Sequence, residues 1–98
     1  MKRLEGQVAI VTGGARGIGK GICEVFCREG ATVALWDVLD GTDTVNEITK
    51  NGGNIFYQKV DVTDQECVNE AVEKIIKDHG KIEILINNAG IIRDKSFL

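Results

Sequence analysis

Proline is absent, and histidine, tryptophan and tyrosine occur once each, as His79, Trp36 and Tyr57. No low-complexity tract interrupts the chain, so one small domain is expected over residues 1–98. A single histidine leaves too few ligands for a zinc site. Basic residues are not in excess: the formal net charge is −3, which argues against nucleic acid as a partner. No apolar run reaches the ~18 residues of a membrane span. The start, Met1-Lys2-Arg3-Leu4-Glu5-Gly6, lacks the apolar stretch of a signal peptide, so a cytoplasmic location is expected. The odd cysteine count of three argues against a closed disulfide framework. Cys23 and Cys27 stand four apart, on one face of a helix, where they read as small core residues.

What is present is a core-forming composition, 43% hydrophobic, arranged as short apolar runs alternating with longer amphipathic ones. Val8–Val11, Thr32–Trp36, Ile55–Val60 and Ile82–Ile86 read as strands. Between them, Gly17–Glu29 reads as a helix with Ile18, Ile22, Val25 and Phe26 on one face, stopped by Gly30. Thr42–Lys50 is a second helix, closed by Asn51-Gly52-Gly53. Thr63-Asp64-Gln65-Glu66 reads as a capping box with Thr63 as the cap, opening a third helix with Cys67, Val68, Ala71, Val72, Ile75 and Ile76 at helical period and Gly80 at its end. The order βαβαβαβ requires parallel strands with helices on both faces. The expected fold is α/β, a Rossmann-type parallel sheet with strand order 3-2-1-4, reversing direction between strands 1 and 4.

Thr12-Gly13-Gly14-Ala15-Arg16-Gly17-Ile18-Gly19 lies between strand 1 and helix 1. Gly13 suits a tight turn, Gly17 lets a pyrophosphate approach the backbone, and Gly19 lets the helix pack on the strand. The free N–H groups and dipole of the helix start face the phosphates. Asp37 ends strand 2, where an acid accepts hydrogen bonds from the adenosine ribose and repels a 2′-phosphate. That favours NAD over NADP; Arg16, in the loop, pulls the other way with less weight. Asp61 can accept from the adenine amino group and Val62 can pack on the ring; with Thr63 capping helix 3, Asp61 is left to the ligand. Asn87-Asn88-Ala89-Gly90 ends strand 4, where small residues let a ribose lie on the backbone and asparagine amides can tie strands together.

Taken together, Thr12-Gly13-x-x-x-Gly17-x-Gly19, Asp61-Val62 and Asn87-Asn88-Ala89-Gly90 resemble the short-chain dehydrogenase/reductase family in order and spacing, over the whole chain. Gly90-Ile91-Ile92-Arg93-Asp94 resembles its branch acting on 3-oxoacyl groups of acyl carrier protein or coenzyme A, although Asp37 departs from the NADPH-using members. The resemblance implies that Gly13, Gly14, Ala15, Arg16, Gly17, Ile18 and Gly19 bind the pyrophosphate side of NAD. Asp37 would read the adenosine ribose, and Asp61 and Val62 would flank adenine. Asn88, Ala89 and Gly90 would line the ribose side, with Asn87 bracing strand 4. The family's chemistry also needs a tyrosine with a lysine four residues on, and a serine. Here Tyr57 is followed at that spacing by Asp61, and Ser96 is the sole serine, in the tail.

This chain is therefore expected to hold a cofactor site without a catalytic one, as the front half of an oxidoreductase truncated after strand 4, and to show no turnover alone. The alternatives are a non-catalytic fragment that folds and self-associates, and a flavodoxin-like module, for which the Asn87–Gly90 turn would be unnecessary. A bare edge on strand 4, with Glu83 as its only charge, is an association hazard. Two copies are expected to pair strand 4 with strand 4.

Overall fold

A computed structural model describes residues 2–88. Four strands, β1 (Val8–Thr12), β2 (Thr32–Asp37), β3 (Asn54–Lys59) and β4 (Ile84–Ile86), alternate with three helices, α1 (Gly17–Arg28), α2 (Thr42–Lys50) and α3 (Gln65–His79). All pairings are parallel, as the alternating pattern requires, and the order is β3-β2-β1-β4, the one expected. The register sets Val11 beside Leu35 on one side and beside Ile86 on the other.

Alternate strand residues feed two cores. Ile10, Ala34, Trp36 and the half-buried Phe56 and Leu85 pack against Val68, Ala71 and Ile75 of α3. Val11, Val33, Leu35 and the half-buried Tyr57 and Ile86 face the opposite side, against Cys23 and Cys27 of α1 and Ile48 of α2. A sheet covered on both faces has apolar side chains on both, which is why β1 reads as an unbroken apolar run. Burial pushes the Cys23 thiol up to about 12 and the Cys27 thiol up to about 11, so both stay protonated as small core groups. Trp36, fully buried, donates its indole N–H to Gln58 Oε1 at 2.7 Å, and Gln58 Nε2 donates to the Ala71 carbonyl at 3.2 Å. This relay bolts β2 through β3 to α3 and removes the cost, ~1–3 kcal/mol, of a buried donor without a partner.

Four expectations from the sequence need correction. Of the apolar residues read onto one face of α1, Ile22 and Phe26 pack half-buried on the core, but Ile18 and Val25 are 77% and 47% exposed. The innermost row is Gly19 with Cys23 and Cys27, the two cysteines being core residues as read from their spacing. Small residues win that face because they let the helix axis approach the sheet more closely than branched ones. The cap of α3 is Asp64, whose Oδ1 accepts from Cys67 N–H at 3.2 Å; Thr63 turns its hydroxyl to Asp61 instead. On α3, Ile76 is 44% exposed and outside the buried row. Finally, β4 spans Ile84–Ile86 only. Ahead of it, Glu83 Oε1 accepts from Val8 N–H at 2.8 Å while the Glu83 N–H donates to the Val8 carbonyl at 3.0 Å. Glu83 thus spends its charge anchoring the strand's entry, and the Val8 N–H, with Lys81 second, holds its carboxyl below the ordinary value.

Candidate functional site

The carboxyl ends of the parallel strands, where the order reverses between β1 and β4, are where an α/β sheet leaves a crevice. Such a crevice, about 580 Å³, is lined by Gly13, Arg16, Gly17, Asp37, Asp61, Val62 and Asn88 among others. Gly13 and Gly17 both take left-handed backbone conformations (φ 65° and 62°) that disfavour any side chain. The two turns lift the chain off β1 and start α1. Its N-cap, Arg16, is extended and offers no side-chain hydrogen bond, and the first turn carries no acid. By contrast, α3 is capped by Asp64 and has Glu66 in its first turn. The N-terminus of α1 therefore keeps its partial positive charge for whatever enters the crevice.

Gly19 lies behind this turn. A Cβ there would collide with the Gly13 carbonyl oxygen and lie 2.6 Å from Asn88 Nδ2. Around the same point, Thr12 Oγ1 accepts from Asn88 N–H at 2.8 Å and lies 3.3 Å from both the Ile86 carbonyl and Asn87 Oδ1, its acceptors. Asn88 Nδ2 donates to the Gly13 carbonyl at 3.3 Å. Both asparagines thus tie the end of β4 to the end of β1, whereas the sequence assigned that bracing mainly to Asn87.

Asp37 stands at the lip, half-buried. Its Oδ2 accepts from Ala15 N–H and its Oδ1 from Leu39 N–H, each at 3.0 Å. Val38 and Leu39, 55% and 43% exposed, add an apolar wall to the crevice that sequence reading missed. Opposite, Asp61 Oδ1 accepts from the Thr63 hydroxyl at 2.6 Å and the Thr63 N–H at 2.9 Å, which hold its carboxyl below the ordinary value. Asp61 is therefore half engaged in a turn of its own.

The other residues named from sequence are placed differently. Gly14 is buried, with Leu35 Cγ 2.8 Å from where its Cβ would be. Ala15 takes part through its backbone, and Ile18 projects into solvent. Ala89, Gly90 and the tail to Leu98 lie outside the described residues. Tyr57 donates its hydroxyl to the Asp37 carbonyl at 3.0 Å, and burial, with Asp40 and Asp37 nearby, raises its pKa, opposite to what a proton donor to substrate requires. Among the described residues no three histidine, cysteine or acidic side chains group as metal ligands, and no helix is long and apolar enough to cross a membrane.

The family model for short chain dehydrogenases matches residues 7–98. The chain belongs to the short-chain dehydrogenase/reductase family. Over 93 residues it is 43% identical to the 3-oxoacyl-acyl-carrier-protein reductase FabG of Chlamydia pneumoniae, covering 93% of this chain and 38% of that protein. It is 44% identical over 94 residues to the peroxisomal hydratase-dehydrogenase-epimerase of Neurospora crassa, covering 96% of this chain and 10% of that one. The solved hydroxysteroid dehydrogenase of Escherichia coli superposes with a TM-score of 0.86 at 37% identity, over 91% of this chain and 39% of that structure. Thus the chain spans about 38% of the length of the FabG relative.

Two glycines two residues apart on α1 separate close packing from mere helix composition. Gly19→Ala should lower stability by ~1–3 kcal/mol, the usual cost of overpacking. Gly21→Ala, whose Cβ would meet nothing within 4 Å, should raise it by ~0.5–1 kcal/mol through helix propensity. Urea midpoints of the two variants check the pair; equal shifts would contradict the collision at residue 19.

Proposed function

We propose that this chain forms the NAD-binding part of an oxidoreductase that moves hydride between nicotinamide and a carbonyl or hydroxyl substrate, of which a 3-oxoacyl thioester is the best-supported class. The observation that carries the reading is the juxtaposition of an uncapped helix N-terminus with a carboxylate fixed at the crevice lip by the Ala15 N–H. The residues fit a dinucleotide. The left-handed Gly13 and Gly17 leave the backbone bare where a pyrophosphate would approach, and the first turn of α1 supplies N–H groups to it. Asp37 can accept from the ribose hydroxyls while staying bonded to Ala15 and Leu39. Val38, Leu39 and Val62 offer an apolar bed for adenine, with Asp61 at its edge.

When bound, the nicotinamide supplies the hydride chemistry. The chain's own contribution is orientation: the turn of α1 fixes the phosphates, Asp37 the adenosine ribose, and the Thr12–Asn88 link the floor beneath. We assign it no proton donor, and the substrate wall is left to other parts of the protein. The likeness to FabG supports the thioester class, since that protein's name states its substrate. A cytoplasmic location belongs to the same reading, and the free Cys23, Cys27 and Cys67 suit a reducing compartment.

Asp37 sets the cofactor preference. A 2′-phosphate would bring a second anion against a carboxylate that already has its place, so NAD should bind at least about tenfold more tightly than NADP, a difference of ~1.4 kcal/mol. Calorimetry with both nucleotides measures the ratio, and Asp37→Ala should shrink it. Tighter binding of NADP would show that Arg16 governs instead.

Pairing of two chains through β4 is part of the proposal, because among the described residues Ile84–Ile86 bond to β1 on one side only. Sedimentation velocity should show a concentration-dependent dimer that Leu85→Lys dissociates. A monomer at every concentration would remove this element and leave the cofactor site untouched.

A further inference from the structure

The hydroxyl of Thr44 is out of place on composition alone. Thr44 lies in the first turn of α2, 4% exposed, one helical turn before the buried Ile48 on the face that packs on the sheet. A buried hydroxyl is costly unless it is bonded. Its partner is the carbonyl of Ala15, 29 residues away in the glycine loop, at 2.7 Å. The N–H of that same Ala15 donates to Asp37 Oδ2 at 3.0 Å. Ala15 therefore has both backbone groups committed, one to α2 and one to the acid at the crevice lip, so its orientation is fixed from both ends.

The first turn of α2 also reaches Asp37 by a second route. Gly41, its N-cap, lies so close to the Tyr57 ring that a Cβ there would be 2.8 Å from Tyr57 Cδ1. The seated ring directs its hydroxyl to the Asp37 backbone carbonyl at 3.0 Å. Lys20 and Glu47 join α1 to α2 across the outside at 2.9 Å. Asp37 is thus held at its carboxylate through Thr44 and Ala15, and at its main chain through Tyr57.

We infer that Thr44 is a specificity-determining positioning residue: acting through the Ala15 backbone, it holds the Asp37 carboxylate where it separates NAD from NADP, with Tyr57 bracing the same aspartate from behind. The inference rests on the nucleotide reading above. Thr44 does not line the crevice, and its effect reaches the ligand only through Ala15 and Asp37.

The test is titration of the protein and its variants with NAD and with NADP separately. Thr44→Val keeps the shape and deletes the donor; it should weaken NAD three- to tenfold and leave NADP unchanged or tighter, so that the ratio falls. Thr44→Ser, which keeps the hydroxyl, should restore the ratio of the unaltered protein. A merely structural role for Thr44 would weaken both nucleotides equally, and an unchanged ratio in Thr44→Val overturns the inference. Should Thr44→Val fail to fold, Tyr57→Phe decides: a lowered ratio supports the bracing of Asp37, and an unchanged one overturns it. Failure of the underlying reading looks different. An unaltered protein without preference, or an Asp37→Ala variant that keeps the full ratio, removes the role of Asp37 itself.

Discussion

The first turn of α1 rests directly on the ends of β1 and β4, and it can do so only because residue 19 has no side chain. The Gly13 carbonyl oxygen and the Asn88 amide occupy the space a Cβ would need. From that contact much else follows. The glycine loop is forced through two left-handed turns, at Gly13 and Gly17, to connect a strand to a helix lying so close to it. The inner face of α1 must then be made of small residues, and Cys23 and Cys27 fill it. The uncapped helix start comes to face the crevice at the point where the strand order reverses, which is where a negatively charged ligand gains most from the helix dipole.

Charge around the crevice is arranged by backbone groups rather than by ion pairs. Asp37 is held by two main-chain N–H groups, and Asp61 by the hydroxyl and N–H of Thr63. The ion pairs among the described residues, Lys20–Glu47, Lys74–Asp78 and Lys81–Glu83, lie outside the crevice and are solvent-accessible, so they contribute little to holding the site. Carboxylates fixed by short hydrogen bonds keep their place when salt changes, because such bonds are screened far less than exposed ion pairs.

Much of the fold was legible because two periodicities alternate cleanly. The limits of α2, Thr42–Lys50, and the strand order follow from the sequence, as does the loop from Thr12 to Gly19. What was not legible has physical causes. Apolar periodicity groups Ile18 and Val25 with Ile22 and Phe26, but only the latter two pack on the core. The spacing of Cys23 and Cys27 marked the inner row, and what turns Ile18 and Val25 outward is the closeness of the helix to the sheet, a tertiary quantity. Thr63 and Asp64 are both good caps, and only the competing bond to Asp61 decides between them. Glu83 falls inside the run Ile82–Ile86 read as strand 4, but its carboxylate takes the Val8 N–H and the strand begins after it. The role of Tyr57 was half read: it is a sheet residue, but its hydroxyl serves Asp37. Thr44 left one trace, a polar residue four before Ile48 on the buried face of an amphipathic helix.

The claim on which the functional reading turns is that the start of α1 and the end of β2 together receive a dinucleotide. Backbone amide shifts followed during titration with NAD test it residue by residue. The largest changes are expected at Arg16, Gly17, Ile18 and Gly19, with further changes at Val38, Leu39 and Val62, and none at Asn51, Gly52 and Asn54 at the opposite end of the sheet. Changes centred on the groove there, between Lys2, Glu5 and Gly52, or no change at saturating NAD, would contradict it.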